Sequence, residues 1–434
     1  MAQESRNIWS KLNAKVEKVS RNTYLKAVSD SMMALTGLMI FGSIIIIFQA
    51  FPIASVAEFF AKVGLTPLFA RVNTFTIGSI SLYLVFLITR NVVKLLTKED
   101  GIAAGLIGLM FFLILTPLGA IPGEVRPVTA LPLSWIGTSG MFTAIIAGLF
   151  VSKIYVYAKE KKWTIKMPDG VPPMVSQTFE SLIPLFLIGT MGLLIGWGFS
   201  LSEFGTIHQL IFSFIQTPLQ GIGGSIWSVA GIIAFQQLLW FLGMHGTNII
   251  SPIVTPLWLS LNIQNLEAYQ AGQPLPNIVT ASFVNIVCWS GSAFGLALLM
   301  TFAKSKRYKE LGKLAILPAF FGITEPVIFG TPLVLNFKLV VPFIFNNSIA
   351  LLVAYFVTNI GLVNRVIGMQ AIFGLPLGFH ATVGGHWTIV ILQVFIQLVL
   401  SPLLWYPWFK RVDREAELEE VKEINETAVQ VELA

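Results

Sequence analysis

The sequence predicts an all-α polytopic membrane protein, with about ten transmembrane helices, two re-entrant hairpins and an N-terminal amphipathic helix. Three observations carry that expectation. Of 434 residues, 55% are apolar and only 12% charged, about half the charged share of a soluble globular chain. The 28 basic and 22 acidic side chains, gathered in a few runs, cannot coat the surface of a soluble protein of this length. Apolar runs recur at about 20 residues, the length with which a helix rising about 1.5 Å per residue crosses about 30 Å of hydrocarbon. Between the runs, basic residues concentrate in alternate connecting segments, as the positive-inside rule requires.

Residues 1–30 are expected on the cytoplasmic side. Within 7–28, Ile8, Trp9, Leu12, Val16 and Val19 share one helical face while Lys11, Lys15, Lys18 and Arg21 lie elsewhere, the pattern of a helix resting on the inner leaflet. The first apolar run starts after residue 30 and is long enough to span, which argues against a cleaved signal peptide. Nine runs are clear, near 31–52, 74–95, 101–121, 140–158, 181–200, 224–243, 277–303, 337–360 and 386–409. A shorter tenth, 248–264, contains Pro252 and Pro256, which remove amide donors and are expected to break or kink it.

Charge supports that tenth crossing. With ten crossings and the N-terminus inside, 24 of the 28 Lys and Arg are cytoplasmic, leaving Lys62, Arg71, Arg126 and Arg365 outside. Omitting it would put the Lys304, Lys306, Arg307, Lys309 and Lys313 cluster outside. Both termini are therefore expected in the cytoplasm. The tail, 411–434, is charged, and its acids suggest a solvated or frayed helix and not a domain.

Two stretches are too apolar for loops and too interrupted for simple spans. Residues 312–336 carry Pro318, Pro326 and Pro332 with Gly322 and Gly330, and residues 367–387 carry Gly374, Pro376, Gly378, Gly384 and Gly385. Irregular backbone at membrane depth persists where protein or a water-filled cavity satisfies its polar groups, so both are predicted as hairpins lining a transport site.

Ionisable residues in such places are costly and therefore informative. Glu325 is the only acid between Lys313 and Asp413 and sits between Thr324 and Pro326 in the first hairpin. It is read as a functional site, the alternative being a cap on a half-helix or a partner of a buried base. His245, in WFLGMHGTN with Asn248, is read as a substrate contact, against a histidine satisfied by backbone. His380 and His386 flank the glycine-rich turn of the second hairpin. His208 lies in the stretch 206–216, expected to be external, and its replacement by alanine is expected to be nearly silent. Arg90 sits at the inner end of the second run, where a snorkelling arginine is the competing explanation. Glu180 heads the fifth run, where the helix dipole favours an acid as readily as function does. The turn 135–140, with Gly137, Thr138 and Gly140, offers backbone groups to hydroxyls.

One carboxylate, one or two imidazoles and nearby aromatic rings suit a sugar, whose hydroxyls they bond and whose C–H faces pack on the rings. A single cysteine, Cys288, in an apolar stretch excludes an internal disulfide framework and a cysteine-rich metal site. Within the apolar runs no His or acid pair has helical ligand spacing, and no GxxxxGK[ST] occurs, so no metal, no cofactor, no ATP hydrolysis and no nucleic-acid role are expected. Transport remains.

The run GMHGTNIISPIVTPLW, then NLEAYQAGQPLP, AKSKRYKELGKLAILPAFFGITEPVIFGTPLVLNF and VVPFIF, with PDGVPPMVSQTFESLIP and GTSGMFTAII in the first half, resembles the membrane IIC component of bacterial phosphotransferase-system permeases. The resemblance is to the lactose, cellobiose and diacetylchitobiose group and covers roughly residues 20–410. It implies a homodimer in the bacterial plasma membrane, with 31–222 supplying most of the dimer contact and 223–410, with both hairpins, enclosing a disaccharide. It implies that His245 and Glu325 hydrogen-bond the sugar, with Arg90 and the Gly137–Gly140 turn close by; Asn248, Thr324, His380 and His386 are further candidates for the same surroundings, read from their positions beside these residues. It also implies phosphorylation of the sugar by a phosphocysteine of a IIB protein. Cys288 lies in a span, so the donor is expected on another chain.

Three departures from the family pattern stand out. Gly322 and Thr324 replace asparagines, Phe337 replaces a proline, and GLPLGFHATVGGHW replaces a Pro-Trp-Thr-Thr-Pro-like run. The expected function is thus uptake of a β-linked, cellobiose-like disaccharide coupled to phosphorylation. Glu325 would accept the hydroxyl proton, and the basic 304–313 and 153–166 segments would either dock IIB or only set the topology. The alternatives are a proton-coupled sugar transporter using Glu325 and His245, and a sugar sensor without flux.

Overall fold

The computed structural model describes residues 22–49, 54–121, 128–165, 167–168, 170–171, 173–289, 293–370 and 374–432. The amphipathic N-terminal segment and Arg126 lie outside these, apart from residues 22–28 of the former. The chain divides into two compact units. The first takes the described residues up to Ile222 together with Ser251–Ile263 and Gln270–Gly272, and the second takes Gly223–Ile250, Gln264–Tyr269 and the described residues from Gln273 onward.

The first unit begins with α1 (Thr23–Gln49), α2 (Ala54–Lys62), α3 (Thr66–Phe75), α4 (Ile80–Leu96) and α5 (Ile102–Leu115). A strand pair follows, β1 (Gly119–Ile121) and β2 (Val128–Ala130), antiparallel with Gly119 opposite Ala130. This is the one sheet among the described residues and a small departure from an all-helical chain. Pro117, directly after the Thr116 cap, stops α5 at 14 residues, shorter than the apolar run 101–121. Next come α6 (Leu133–Ile136), α7 (Met141–Glu160), α8 (Pro173–Glu180), α9 (Leu182–Ser200), α10 (Ile207–Ile211) and α11 (Thr217–Gly224).

Small residues let these helices approach, as association in lipid requires. Gly105 and Gly108 of α5 lie against Phe86 and Thr89 of α4, and Gly148 of α7 lies against Ile88. Leu84, Val85, Ile88 and Val92 are consequently fully buried. At the end of α7, Lys159 Nζ is 2.8 Å from both Glu99 Oε1 and Glu180 Oε2, and Tyr155 donates to Glu99 Oε2 at 3.0 Å. Glu180 is therefore one arm of an ion triad. His208 corrects the expectation of an incidental residue. It is fully buried, with Nε2 3.1 Å from Thr116 Oγ1 and its ring against Phe112 and Trp135. The half-polar pattern of 206–216 reflects this inward histidine and Gln216, also fully buried, rather than a wetted face.

The second unit holds α12 (Ile226–Phe241), the first turn of α13 (Gly246–Gln270), α14 (Ala281–Val287), α15 (Ala293–Thr301), α16 (Lys306–Phe320), α17 (Glu325–Gly330), α18 (Val340–Asn359), α19 (Trp387–Phe395) and α20 (Ser401–Glu432). Of the expected break or kink at Pro252 and Pro256, the break does not occur, since α13 is one helix through both, an accommodation that membrane helices make where neighbours satisfy the freed carbonyls. Within the run 277–303 the described residues form two helices, α14, which is capped at Cys288, and α15. Six helical stretches among the described residues are long and apolar enough to cross a membrane, and Ile207–Gly224 with Ile226–Phe241, taken together, would make a seventh.

The core of this unit joins Phe294, Leu296 and Met300 of α15, Tyr308, Ala315 and Ala319 of α16, Val327 and Ile328 of α17, and Trp405, Phe409 and Val412 of α20. Polar side chains bind its helices across otherwise apolar contacts. Ser348 donates to the Ala230 carbonyl at 2.8 Å, Gln237 to that of Phe343 at 3.3 Å and Asn346 to that of Ser401 at 3.1 Å.

Candidate functional site

Three interrupted segments of the second unit carry the predicted site residues, and hydrogen bonds tie them together. The first is the turn 242–245 between α12 and α13. His245 is exposed there, its ring 4.2 Å from that of Trp240 between centroids. Trp240 Nε1 and Gln236 Nε2 both donate to Thr247 Oγ1, at 3.4 and 3.1 Å, and so fix the start of α13. Asn248 follows within α13; its side chain lies outside the described set.

The second segment is the turn 321–324 between α16 and α17. Helix α16 ends at Phe320, two residues beyond Pro318, and the Phe321 and Ile323 amides bond back to the Pro318 carbonyl, both at 3.0 Å. Thr324 is half-buried and its carbonyl receives the Val327 and Ile328 amides, which starts α17. Glu325 is the first residue of that helix and Pro326 the second, where a missing amide costs nothing. Beyond α17, the Leu335 amide donates to the Phe241 carbonyl at 2.9 Å, and Phe337 packs edge-on against Phe241. The hairpin bearing Glu325 is thereby joined to the turn bearing His245.

The third segment is 374–386. The Leu377 amide donates to the Phe320 carbonyl at 3.1 Å, joining this segment to the Glu325 hairpin. His380 is buried, its Nδ1 3.3 Å from Gln393 Nε2, while Gln393 Oε1 accepts from the Gly378 amide at 2.9 Å. That arrangement makes Gln393 the donor to Nδ1 and leaves the proton of a neutral imidazole on Nε2. His386 does something different. It is the N-cap of α19, its Nδ1 accepting from the Thr388 amide at 3.3 Å and lying 2.9 Å from Thr388 Oγ1.

Between the second and third segments stands Trp289, a residue that sequence reasoning passed over. Its ring lies 5.1 Å from that of His380 between centroids, and its other side fills the space a side chain at position 322 would need. Gly322 has φ +83°, a backbone that glycine adopts without strain. Gln397 Nε2 donates to the Trp289 carbonyl at 2.9 Å. The buried Gln397 Oε1 and Trp289 Nε1 have no protein partner among the described residues. Gln393 and Gln397, four residues apart in an apolar span, were the available signal.

The first unit holds the remaining candidates. Arg90 is half-buried on the last turns of α4, with no carboxylate among the described residues within ion-pair distance. The turn 137–140 is braced by side chains: Ser81 donates to the Gly137 carbonyl at 2.6 Å and Gln216 to the Thr138 carbonyl at 3.3 Å. Thr138 and Gly140 are buried, and a Cβ on Gly140 would fall on the Trp135 carbonyl. Among the described residues, no group of three or more His, Cys, Asp or Glu side chains is placed to hold a metal ion.

Comparison with known proteins gives these features a context. Residues 29–346 match the family described as phosphotransferase system, EIIC. The chain is 32% identical over 421 residues to the oligo-beta-mannoside-specific EIIC component of Bacillus subtilis (strain 168), covering 95% of each chain. It is 34% identical to the lichenan permease IIC component of the same organism, covering 93% of this chain and 92% of that one. With the cellobiose-specific EIIC component of Geobacillus stearothermophilus it shares 31% identity over 93% of both. Among solved structures, the transporter ChbC, the IIC component of the N,N'-diacetylchitobiose-specific phosphotransferase system, superimposes with a TM-score of 0.85 at 33% identity, over 93% of this chain and 96% of that one. An apolar helical chain whose interrupted segments converge in this way, with relatives matching nearly end to end, belongs to the phosphotransferase system EIIC family of membrane sugar permeases.

Proposed function

We propose that this chain carries a β-linked disaccharide, cellobiose-like in shape, across the bacterial plasma membrane and presents it for phosphorylation by the phosphocysteine of a separate IIB protein. The observation that carries the reading is the bracing of the segments that hold His245, Glu325 and His380 through the Leu335–Phe241 and Leu377–Phe320 hydrogen bonds. The sugar class is supported by relatives named for oligo-beta-mannoside, lichenan and cellobiose and by a structural match named for N,N'-diacetylchitobiose; a β-linkage is what these sugars share. Relatives named lactose-specific EIICB component, of which this chain covers 70% and 71%, support a B component as partner.

In this reading the chain spans the membrane about ten times with both termini inside, and the hairpins are re-entrant. Residues 31–222 form the homodimer contact and 223–410 the sugar site. Arg90, Gly137, Thr138, Gly140, Asn248, Thr324 and His386 complete its surroundings. The contribution to chemistry is positional. A sugar hydroxyl oxygen attacks phosphorus, the P–S bond of the phosphocysteine breaks, sulfur leaves as thiolate, and Glu325 accepts the hydroxyl proton.

Uptake of radiolabelled cellobiose, lactose and diacetylchitobiose into right-side-out vesicles tests it, with and without phosphoenolpyruvate and the cytosolic phosphotransferase proteins. The expected result is accumulation as sugar phosphate only when those proteins are present. Accumulation of free sugar that collapses with the proton gradient would refute the proposal in favour of a symporter.

A further inference from the structure

The polar extension of α20 grips both roots of the hairpin that carries Glu325. At the first root, Asp413 accepts hydrogen bonds from the Lys304 amide at 2.9 Å, the Ser305 amide at 3.0 Å and the Ser305 hydroxyl at 2.8 Å. Glu420 accepts from the amides of Lys306 and Arg307, both at 2.9 Å. The amides of Ser305, Lys306 and Arg307 are donors that a helix start leaves without intrahelical partners, and two carboxylates from one other helix occupy all three, while the fourth such donor, the Tyr308 amide, bonds the Ser305 hydroxyl at 3.4 Å. At the second root, Lys338 Nζ pairs with Glu415 Oε2 at 2.5 Å.

Helix α16 is built to carry a displacement from the first root to the turn. Its 15 residues make a rod of about 22 Å. Gly312 sits directly on the backbone of Met300 and Thr301 in α15, and Ala315 and Ala319 are buried beyond it. Tyr308, one turn from the root, packs edge-on against Phe409 of α20 at 5.6 Å between centroids. Close-packed contacts of this kind transmit shifts instead of absorbing them. A cap needed only for stability would hold one end; here a single helix holds both ends of the segment that encloses Thr324 and Glu325.

We infer that Asp413 and Glu420, assisted by Glu415, are positioning residues for the sugar site, setting the height and rotation of α16 and hence the placement of the 321–325 turn. The inference rests on the reading of Glu325 as a sugar contact, and the test separates the two. In full-length protein in lipid nanodiscs, spin labels are attached at Ile323→Cys and Leu362→Cys after Cys288→Ala removes the single native cysteine. Both labelled positions are exposed. The Asp413→Asn plus Glu420→Gln variant is expected to shift or broaden the label distance and to weaken equilibrium binding of tritiated cellobiose about tenfold, the scale of coupling through a packed element. Glu58→Gln, in the exposed Lys62–Glu58 pair, is expected to change neither.

Unchanged affinity in the folded double variant overturns the inference, whether or not the turn moves. If the double variant does not fold, Glu420→Gln alone is read by the same two measurements. If the wild type binds none of cellobiose, lactose and diacetylchitobiose, the function reading fails by itself, and an unchanged label distance then overturns the positioning role.

Discussion

The indole of Trp289 occupies the volume that any side chain at Gly322 would require, so the turn before Glu325 and the break between α14 and α15 are shaped to each other. Gly322→Ala meets both the ring and a positive φ. It is expected to destabilise the protein by about 2 to 4 kcal/mol, from overpacking plus backbone strain. In a Trp289→Leu background, where the clashing ring atoms are gone, the added cost should fall to about 1 kcal/mol. Thermal unfolding of the four proteins in detergent measures the coupling, and strictly additive costs would show that the ring and the turn do not constrain each other.

Glu325→Gln keeps the size and hydrogen-bonding reach of the side chain and removes its basicity. It is expected to fold normally and to lose most sugar phosphorylation, about 100-fold or more in kcat for a lost general base. Reconstituted phosphorylation with purified partner proteins gives the rate; wild-type turnover in the variant would remove the carboxylate from the mechanism.

Lys159 joins Glu99, from the segment after α4, to Glu180, from the end of α8, and its side chain is only 12% exposed. Lys159→Met leaves two carboxylates facing each other without a cation. The expected loss is about 3 kcal/mol, and the triple change with Glu99→Gln and Glu180→Gln should recover most of it, because an uncompensated charge costs more than an absent pair. Equal stability of the single and triple variants would refute this.

His208→Ala, which the sequence marks as harmless, removes a ring packed between Phe112 and Trp135 and a hydrogen-bonding partner of Thr116. The expected cost is about 2 to 3 kcal/mol, from the cavity and the orphaned hydroxyl. Because Trp135 leads into the 137–140 turn, proteolysis or hydrogen exchange there should rise together with the global loss. An unfolding midpoint equal to that of wild type would contradict the packing argument.

The grip of α20 on α16 depends on pH in a direction fixed by its charges. The amides of Arg307 and Lys306, donating to Glu420, hold that carboxyl below the usual glutamate range. Its contribution to stability is therefore present at neutral pH and lost as acidification passes through the lowered value. Lys338 is raised above the usual lysine range by its hydrogen bond to Glu415, so its contribution is present at neutral pH and lost only in strong alkali. The stability difference between wild type and Glu420→Gln should narrow from neutral pH to about pH 3. A difference independent of pH would assign the effect to shape alone.

Sequence reasoning reached the membrane-spanning class and the two interrupted segments, and it picked out Glu325 as a candidate, because each reading rests on a local property. Apolar runs, helix-breaking residues and a lone acid at membrane depth have costs that do not depend on what lies opposite. It could not see that α13 stays one helix through its prolines, whose freed carbonyls are a matter for neighbouring helices, or that α14 ends at Cys288 within the uniformly apolar run 277–303. It also read His208 as incidental, since polarity along one helix does not reveal which partners wait beyond its face.

By itself, then, the sequence determined where this chain is apolar, where it breaks and which ionisable groups stand at the breaks. Only the tertiary structure decided that Trp289 fills the space beside Gly322, that Gln393 orients His380, that His386 caps α19, and that Asp413 and Glu420 of the acidic tail close the start of α16. The reason is sequence separation. Ser305 and Asp413 are 108 residues apart, and a contact between groups so distant is chosen by the packing of every element between them, which no local pattern of residues encodes.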